Sequence, residues 1–305
     1  MQVERIPLPR DDRGELDEQA WHALRRVDYT ASDMGALFGV SPRSTALGIY
    51  VAKAGRAAPD RDTKYARRGH ILEPVVAYEL ELRWPDAKIS KADVYLRGRD
   101  PSDEHLRIGA TCDYSLDRGG EQGPLEIKTI APQWFLRTWR RWQRKGPIAP
   151  PLDNLLQLRT QIMLEGADHG TIAGLVCNDA ADIHVFRVER DAKIEAAICR
   201  RVSAFWAAYE AGIMPRLQYG REAANLDRLA RTTECPPPIV HDDRLAELAD
   251  QHTALARGIA EAQRELAAVE DEMRERLAER AVVMLPDTRR VSVGKYLSNR
   301  RIRIA

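Results

Sequence analysis

The chain has 305 residues, with 47 Lys and Arg against 46 Asp and Glu and a formal net charge of +1. That balance excludes recognition of nucleic acid through a global basic field, so any such surface must be local. A hydrophobic content of 44% with 30% charged residues gives ample core for one large domain, alone or with an appendage. The four cysteines, Cys112, Cys177, Cys199 and Cys235, show no C-x-x-C spacing and read as reduced thiols rather than a disulfide framework. No apolar run reaches membrane-spanning length and the first residues lack the shape of a signal peptide, so the expected location is cytoplasmic.

Residues 1–16 are polar and proline-containing and read as a loose lead-in, with the folded core expected from about residue 20. Leu16 to Arg26 has the pattern of a short amphipathic helix. Thr30 or Ser32 is a natural N-cap for a second helix ending at Gly39, and Pro42 to Lys53 suggests a third. Ser32 reads by default as that cap; because a helix N-terminus is also an anion site, a phosphate contact is its second reading. Lys64 to Trp84 has helical period, with Ile71, Leu72, Val75, Val76, Leu80 and Leu82 or Trp84 along an apolar side. Pro74 inside it should kink the helix or mark a new first turn. Glu73 is either a surface acid, as periodicity favours, or a half-buried one that needs a partner such as a metal.

Residues 88–96 and 105–116 read as strands, and Arg107–Leu116 with Pro124–Ile130 as a hairpin whose loop is Asp117–Gly123. A loop centred near Gly119–Gly120 sets an antiparallel register with pair sums close to 239, which places Asp113 opposite Glu126. Side-chain alternation puts Glu126 and Lys128 on one face and Leu125 and Ile127 on the other. Two carboxylates and a lysine then converge on one side of one hairpin. Mg²⁺ takes one or two carboxylates together with phosphate oxygens, and a lysine beside it can hold an attacking water or stabilise charge on a phosphate. The pattern suits metal-dependent phosphodiester hydrolysis; the plainer reading is a solvated strand face with a cross-strand ion pair.

Gln133 to Lys145, QWFLRTWRRWQRK, carries five basic residues, three tryptophans and no acid. It is either a phosphate-contacting helix with stacking surfaces or an amphipathic helix whose tryptophans pack inward. Asp153 to Leu164 reads as a helix on which Gln157 and Gln161 share a face. Gly170–Val176 and Ala181–Val188 read as strands, and Arg190–Gly212 as a long helix.

The motifs WHALRR…TASDMGALFGVSP, RRGHILEP, GATCDY, LEIKT and QLRTQIMLEG follow one another in this order. Over about residues 20–215 the chain thereby resembles the lambda-exonuclease-like, YqaJ-type viral recombinase family of PD-(D/E)xK nucleases. The resemblance implies an α/β (α+β) restriction-endonuclease-like core, a central mixed sheet flanked by helices. By the same resemblance Glu73, Asp113, Glu126 and the backbone carbonyl of Ile127 match ligands of one or two Mg²⁺ ions, with Mn²⁺ as a substitute. Lys128 matches the lysine that positions or activates water, and Gln157 the glutamine that closes the site. Arg25, Ser32 and Thr111 fall at the places of a 5′-phosphate pocket. Arg137, Arg140, Arg141, Arg159 and Gln161 are further candidate DNA contacts.

Two departures stand out. Asp113-Tyr114 replaces a frequent Asp-Gly, and Arg159 takes the place of a second glutamine, a role Gln161 could share. The implied activity is 5′→3′ digestion of one strand of linear duplex DNA. The resulting 3′ overhang would pass to a single-strand annealing protein in phage-type recombination. Members of the lambda type form trimeric rings, so a homotrimer is the implied assembly. The rival readings are an endonuclease of the same superfamily and a DNA-end binding protein that has lost the chemistry; an iron–sulfur nuclease lacks its cysteine set here.

Residues 216–242, with Glu234-Cys-Pro-Pro-Pro-Ile, read as a linker. Residues 243–305 read as a helical arm followed by a small basic β element. Apolar residues at 245, 248, 255, 259, 262, 266, 269, 273 and 277, with His252 in one slot, make a heptad pattern suited to a helical hairpin or coiled coil. Val282–Leu285 and Arg289–Ile304 read as strands. The second carries Arg289, Arg290, Lys295, Arg300, Arg301 and Arg303, either as a DNA clamp or subunit contact or as a solvated edge strand.

Overall fold

The computed structural model describes residues 1–56, 64–140, 148–177, 181–229, 242–277, 282–287, 290–293 and 302–304. The chain divides into two units, Met1–Arg231 and Thr232–Ala305.

In the first unit the elements run β1 (Gln2–Pro7), α1 (Glu18–Arg26), β2 (Tyr29–Thr30), a 3-10 turn (Ala31–Asp33), α2 (Met34–Leu37), α3 (Ala46–Lys53) and α4 (Lys64–Arg83). There follow β3 (Ala87–Lys91), β4 (Val94–Asp100), β5 (Asp103–Thr111), β6 (Tyr114–Arg118), β7 (Glu121–Ile130), α5 (Pro132–Thr138) and α6 (Leu152–Glu165). β8 (His169–Cys177), β9 (Ala181–Glu189), α7 (Ala192–Glu210) and α8 (Ala223–Leu229) complete it. The strands form a four-stranded sheet, β1-β4-β5-β2, and a five-stranded mixed sheet, β3-β6-β7-β8-β9, in which β7 and β8 are parallel. This is the mixed α/β architecture the sequence implies.

The hairpin register is the expected one: Tyr114 pairs with Leu125 and Arg118 with Glu121. Gly119 and Gly120, at φ +65° and +82°, make the two-residue turn whose twist matches the strands, so Asp117 and residues 121–123 are strand rather than loop. The single strand expected over 105–116 breaks after Thr111. β5 belongs to the four-stranded sheet and β6 to the five-stranded one, with Asp113 at the crossover. The strand expected over 88–96 likewise divides into β3 and β4.

The lead-in is also a correction: β1 pairs antiparallel with β4, from Gln2 against Arg99 to Pro7 against Val94. α4 continues through Pro74, and its buried side is narrower than the sequence suggested. Val76, Ala77 and Leu80 enter the core, whereas Ile71, Val75 and Leu82 face solvent. The basic segment after β7 is helical only to Thr138, and Trp139 packs inward, only 1% exposed; Arg141 and the rest of that segment to residue 147 lie outside the described residues. Part of the expected linker is folded: Glu222, buried, accepts from Thr45 Oγ1 (3.0 Å) and from Asn225 Nδ2 (2.9 Å), tying α8 to α3. The proline run of the linker lies outside the described residues.

Three apolar clusters support the unit. Tyr29, Leu96, Ile108, Met163, Phe205 and Trp206 join the four-stranded sheet to α6 and α7. Val76, Leu80, Leu125, Ile127 and Ala173 seat α4 on one face of the five-stranded sheet, and Ile130, Trp139, Leu158, Ile162 and Ile172 seat α6 and α5 on the other. α6 is thus held between the two sheets, close to the crossover at Asp113.

In the second unit α9 (Asp243–Leu277) is one helix of 35 residues. β10 (Val282–Met284), β11 (Arg290–Val293) and β12 (Ile302–Ile304) form an antiparallel sheet, two short strands standing where one long basic strand was expected. Of the basic residues proposed as a clamp, Arg289, Lys295, Arg300 and Arg301 lie outside the described residues. Among the described residues no helix is long and apolar enough to cross a membrane.

Candidate active site

β7 is a central strand, so both its faces are covered. Alternation sends Leu125 and Ile127 into the core beneath α4, and Glu126 and Lys128 toward α6. Glu126 is only 2% exposed. A carboxylate withdrawn from water so far is tolerated only if its oxygens are satisfied. Lys128 Nζ and Gln157 Nε2 both donate to its Oε1 at 2.6 Å, and Gln161 Nε2 donates to Oε2 at 2.6 Å. Lys128 Nζ also donates to Gln157 Oε1 at 3.0 Å, closing a ring of polar contacts. The i, i+4 spacing of the two glutamines on α6 makes this possible.

Asp113 enters the same space from the crossover. Its Oδ2 accepts from the Ile127 N–H at 2.8 Å. Burial, reinforced by the negative charges of Glu126 and Glu73, holds the Asp113 carboxyl well above the usual range, while Lys128 and that N–H pull the other way. Burial disfavours the Lys128 ammonium, but Glu126 and Asp113 outweigh it and raise its pKa. Glu73, on α4, accepts from Lys91 Nζ at 3.2 Å, and Lys91 lies 4.6 Å over the Tyr114 ring. The residue standing where the family often has glycine therefore packs against the cation that neutralises Glu73.

Among the described residues no group of three or more His, Cys, Asp and Glu side chains converges tightly enough to form a ready metal cage. The donor set nevertheless suits a hard divalent cation: all three acids offer oxygen, and the repulsion felt by Asp113 is what a cation would relieve. Ile127 is engaged through its N–H; its carbonyl was the ligand expected from the sequence.

A cavity of about 660 Å³ connects this constellation to α1; Arg25, Ser32, Thr111, Glu73, Asp113 and Gln157 all line it. Arg25 Nη2 donates to Ser32 Oγ at 2.8 Å, and the guanidinium lies 4.4 Å over the Trp21 ring, whose Nε1 donates to Thr111 Oγ1 at 3.4 Å. Behind them Lys53, almost fully buried, donates to the Arg25 carbonyl at 2.9 Å and pairs with Asp33 at 3.7 Å, fixing the last turn of α1. Burial lowers the Lys53 pKa. Ser32 is therefore the arginine's partner rather than a helix cap. A second opening, of about 580 Å³, reaches Lys128 and Gln157 from the side of Arg43, Trp134 and Thr138.

Other candidates lie elsewhere. Gln161 is fully buried on Glu126 and the Thr111 carbonyl and does not face a DNA path. Arg159 points away, donating to the Glu189 carbonyl at 3.1 Å and pairing with Asp191 at 3.6 Å. Arg137 is exposed on α5 and Arg140 half-buried beyond it; neither lines the two cavities. Sequence reasoning missed Trp21, Arg43, Lys53 and Lys91. Trp21 lies within the quoted WHALRR run and Arg43 directly follows TASDMGALFGVSP, the only local signal for either; Lys53 and Lys91 carry none.

Residues 20–168 match the YqaJ-like viral recombinase domain, from within α1 to just past α6. The matched span contains every residue of the constellation just described. Over 70% of its length the chain is also similar to the alkaline exonuclease of Laribacter hongkongensis, at 20% identity and a TM-score of 0.48, covering 100% of that chain. The same figures hold for that enzyme in complex with dAMP. A phage-related exonuclease from Haemophilus somnus 129PT is 15% identical, with a TM-score of 0.44 over 63% of this chain and 97% of that one. No curated protein matches the chain.

Proposed function

We propose that this protein is a metal-dependent deoxyribonuclease that degrades one strand of linear duplex DNA from its 5′ end. The observation that carries this is the joining, in one cavity, of Glu73, Asp113 and Gln157 to a pocket formed by Arg25, Ser32 and Thr111, with Gln157 bonded in turn to Glu126 and Lys128. Asp113, Glu126 and Glu73 would hold Mg²⁺, or Mn²⁺ in its place. The ion, when bound, supplies Lewis-acid stabilisation of charge on the phosphodiester and a more acidic water.

This chain's own residues do the rest. Lys128, pinned by Glu126 and Gln157, presents its ammonium where an attacking water or a phosphate oxygen would lie. Gln157 fixes that lysine, and Gln161 holds the far oxygen of Glu126 so that the acid keeps one orientation. Arg25, steadied by Ser32 and by the Trp21 ring, would accept a terminal phosphate bidentately and so set the scissile bond at a fixed distance from the end. Water attacks phosphorus in line with the 3′ oxygen, the P–O3′ bond breaks, and the product leaves as a 5′ mononucleotide. The remaining 3′ overhang is the substrate that a single-strand annealing partner takes.

The test is single-turnover digestion of linear duplex carrying either a 5′-phosphate or a 5′-hydroxyl, by wild type and Arg25→Ala. Wild type should favour the phosphorylated end by tenfold or more, at roughly 1.4 kcal/mol per decade, and Arg25→Ala should erase the preference. Equal rates on both ends in wild type would remove the pocket from the reading.

A further inference from the structure

Within the second unit one face of α9 is both apolar and exposed. Along α9, Leu245, Leu248, Leu255, Ile259, Leu266 and Val269 are 45–69% exposed and fall on the a and d positions of a heptad, with His252 and Ala262 in the remaining slots. Six large apolar side chains on one face of one helix form a patch that soluble surfaces rarely leave open. Beyond Val269 the helix is already occupied, since Met273 is half-covered and Leu277 buried. The free seam therefore spans 245–269, about 37 Å at 1.5 Å per residue.

We infer that this seam is covered by the same segment of a second copy, running antiparallel, with Leu255 facing the partner's Ile259 across a two-fold axis beside Arg257. Three features of the sequence select this arrangement. In that register Leu245 meets Val269, Leu248 meets Leu266 and Leu255 meets Ile259. The two weak positions meet each other, the bulky polar His252 against the small Ala262. At the axis the flanking positions are Ala256 against Ala256 and Gly258 against Gly258, and nothing lies within 4 Å of a Cβ placed on Gly258, so two backbones can approach closely. One charged flank pair also agrees, Arg244 coming opposite Glu272, and Gln251 faces Glu265 without a like-charge contact; Asp242 against Glu270, at the first turn, is the one like-charge pair.

The parallel, in-register alternative sets His252 on His252 and Ala262 on Ala262. It also brings Glu265 against Glu270 on both sides, a like-charge contact that flanking positions use to reject a pairing. The occupant is thus another copy of this chain rather than a partner of opposite charge, for the seam is apolar and its weak positions, His252 and Ala262, complement each other only when reversed.

The experiment uses the full chain with Cys235→Ser, to remove a competing thiol, and adds either Gly258→Cys or Ala262→Cys. After mild oxidation Gly258→Cys should give a covalent dimer on a non-reducing gel and Ala262→Cys should not, since position 262 faces His252 of the other copy. In the same chain without added cysteines, Leu255→Lys with Leu266→Lys should lower the mass in sedimentation equilibrium at least twofold, with helix content by circular dichroism unchanged. Cross-linking at 262 but not at 258 would replace the proposal with a parallel pair. Cross-linking at both would mark random collision, and at neither, with an unchanged mass in the lysine variant, would leave α9 without a second copy; each of these overturns it.

Discussion

Glu126 is the residue on which the candidate site turns, because a carboxylate 2% exposed is tolerated only while donors satisfy its oxygens, and three do. Gln161→Leu removes one donor and leaves Oε2 unmet. Urea unfolding should show a loss of about 1–3 kcal/mol. Adding Glu126→Leu to Gln161→Leu should cost less than the sum of the single changes, since the orphaned charge is then gone. A simple sum would show that Gln161 acts through packing alone.

Much of this was legible in the residues. The i, i+4 spacing of Gln157 and Gln161 places both on one face, and the structure puts both on Glu126. The i, i+2 spacing of Arg159 turns it away, to Asp191. Lys91 and Lys53 were illegible because each acts on a partner set by tertiary packing, Glu73 on α4 and the Arg25 carbonyl at the end of α1.

At the scale of elements, the β4–β5 pair carries a buried cluster behind α1. Asp28 is fully buried and accepts from Tyr95 Oη at 2.9 Å and Arg97 Nε at 3.0 Å, with Arg99 on its other oxygen. Gly109 on β5 leaves room for the Tyr95 hydroxyl, where a Cβ would collide with it. Gly109→Ala should therefore destabilise by at least about 1–3 kcal/mol in chemical denaturation.

Burial first, and then Asp28, raise the Tyr95 pKa far above its ordinary value of about 10. The folded state then keeps a proton that the unfolded chain releases, so this contribution is complete below pH 10 and declines as pH climbs above it. Tyr95→Phe should flatten that alkaline decline; an unchanged slope in unfolding from pH 9 to 11 would contradict it. The hairpin β6–β7 was readable because two adjacent glycines fix a turn and a turn fixes register. β1 was not, because its partner β4 lies some ninety residues away and most of its own side chains are exposed, so no alternation marked it.

For the molecule as a whole, the crossover at Asp113 joins two sheets, and α6 is held where both meet, so Glu73, Asp113, Gln157 and the Arg25 pocket line one cavity, while Lys128 is reached from the opening on the other side of Gln157. Sequence order alone could place these groups on strands and helices but not in one space, since that depends on β5 and β6 belonging to different sheets. The central claim is that this cavity hydrolyses DNA from an end. Its most direct measurement is release of mononucleotides from linear and from covalently closed duplex, with Mg²⁺ and with a chelator, by wild type, Lys128→Met and Glu126→Gln. Wild type should digest only the linear form and only with the metal, and each substitution should lower the rate by a hundredfold or more while DNA-end binding, read by fluorescence anisotropy, persists. Cutting of the closed circle would make the protein an endonuclease. End binding by wild type without hydrolysis under any metal condition would contradict the account and leave a protein that holds DNA ends.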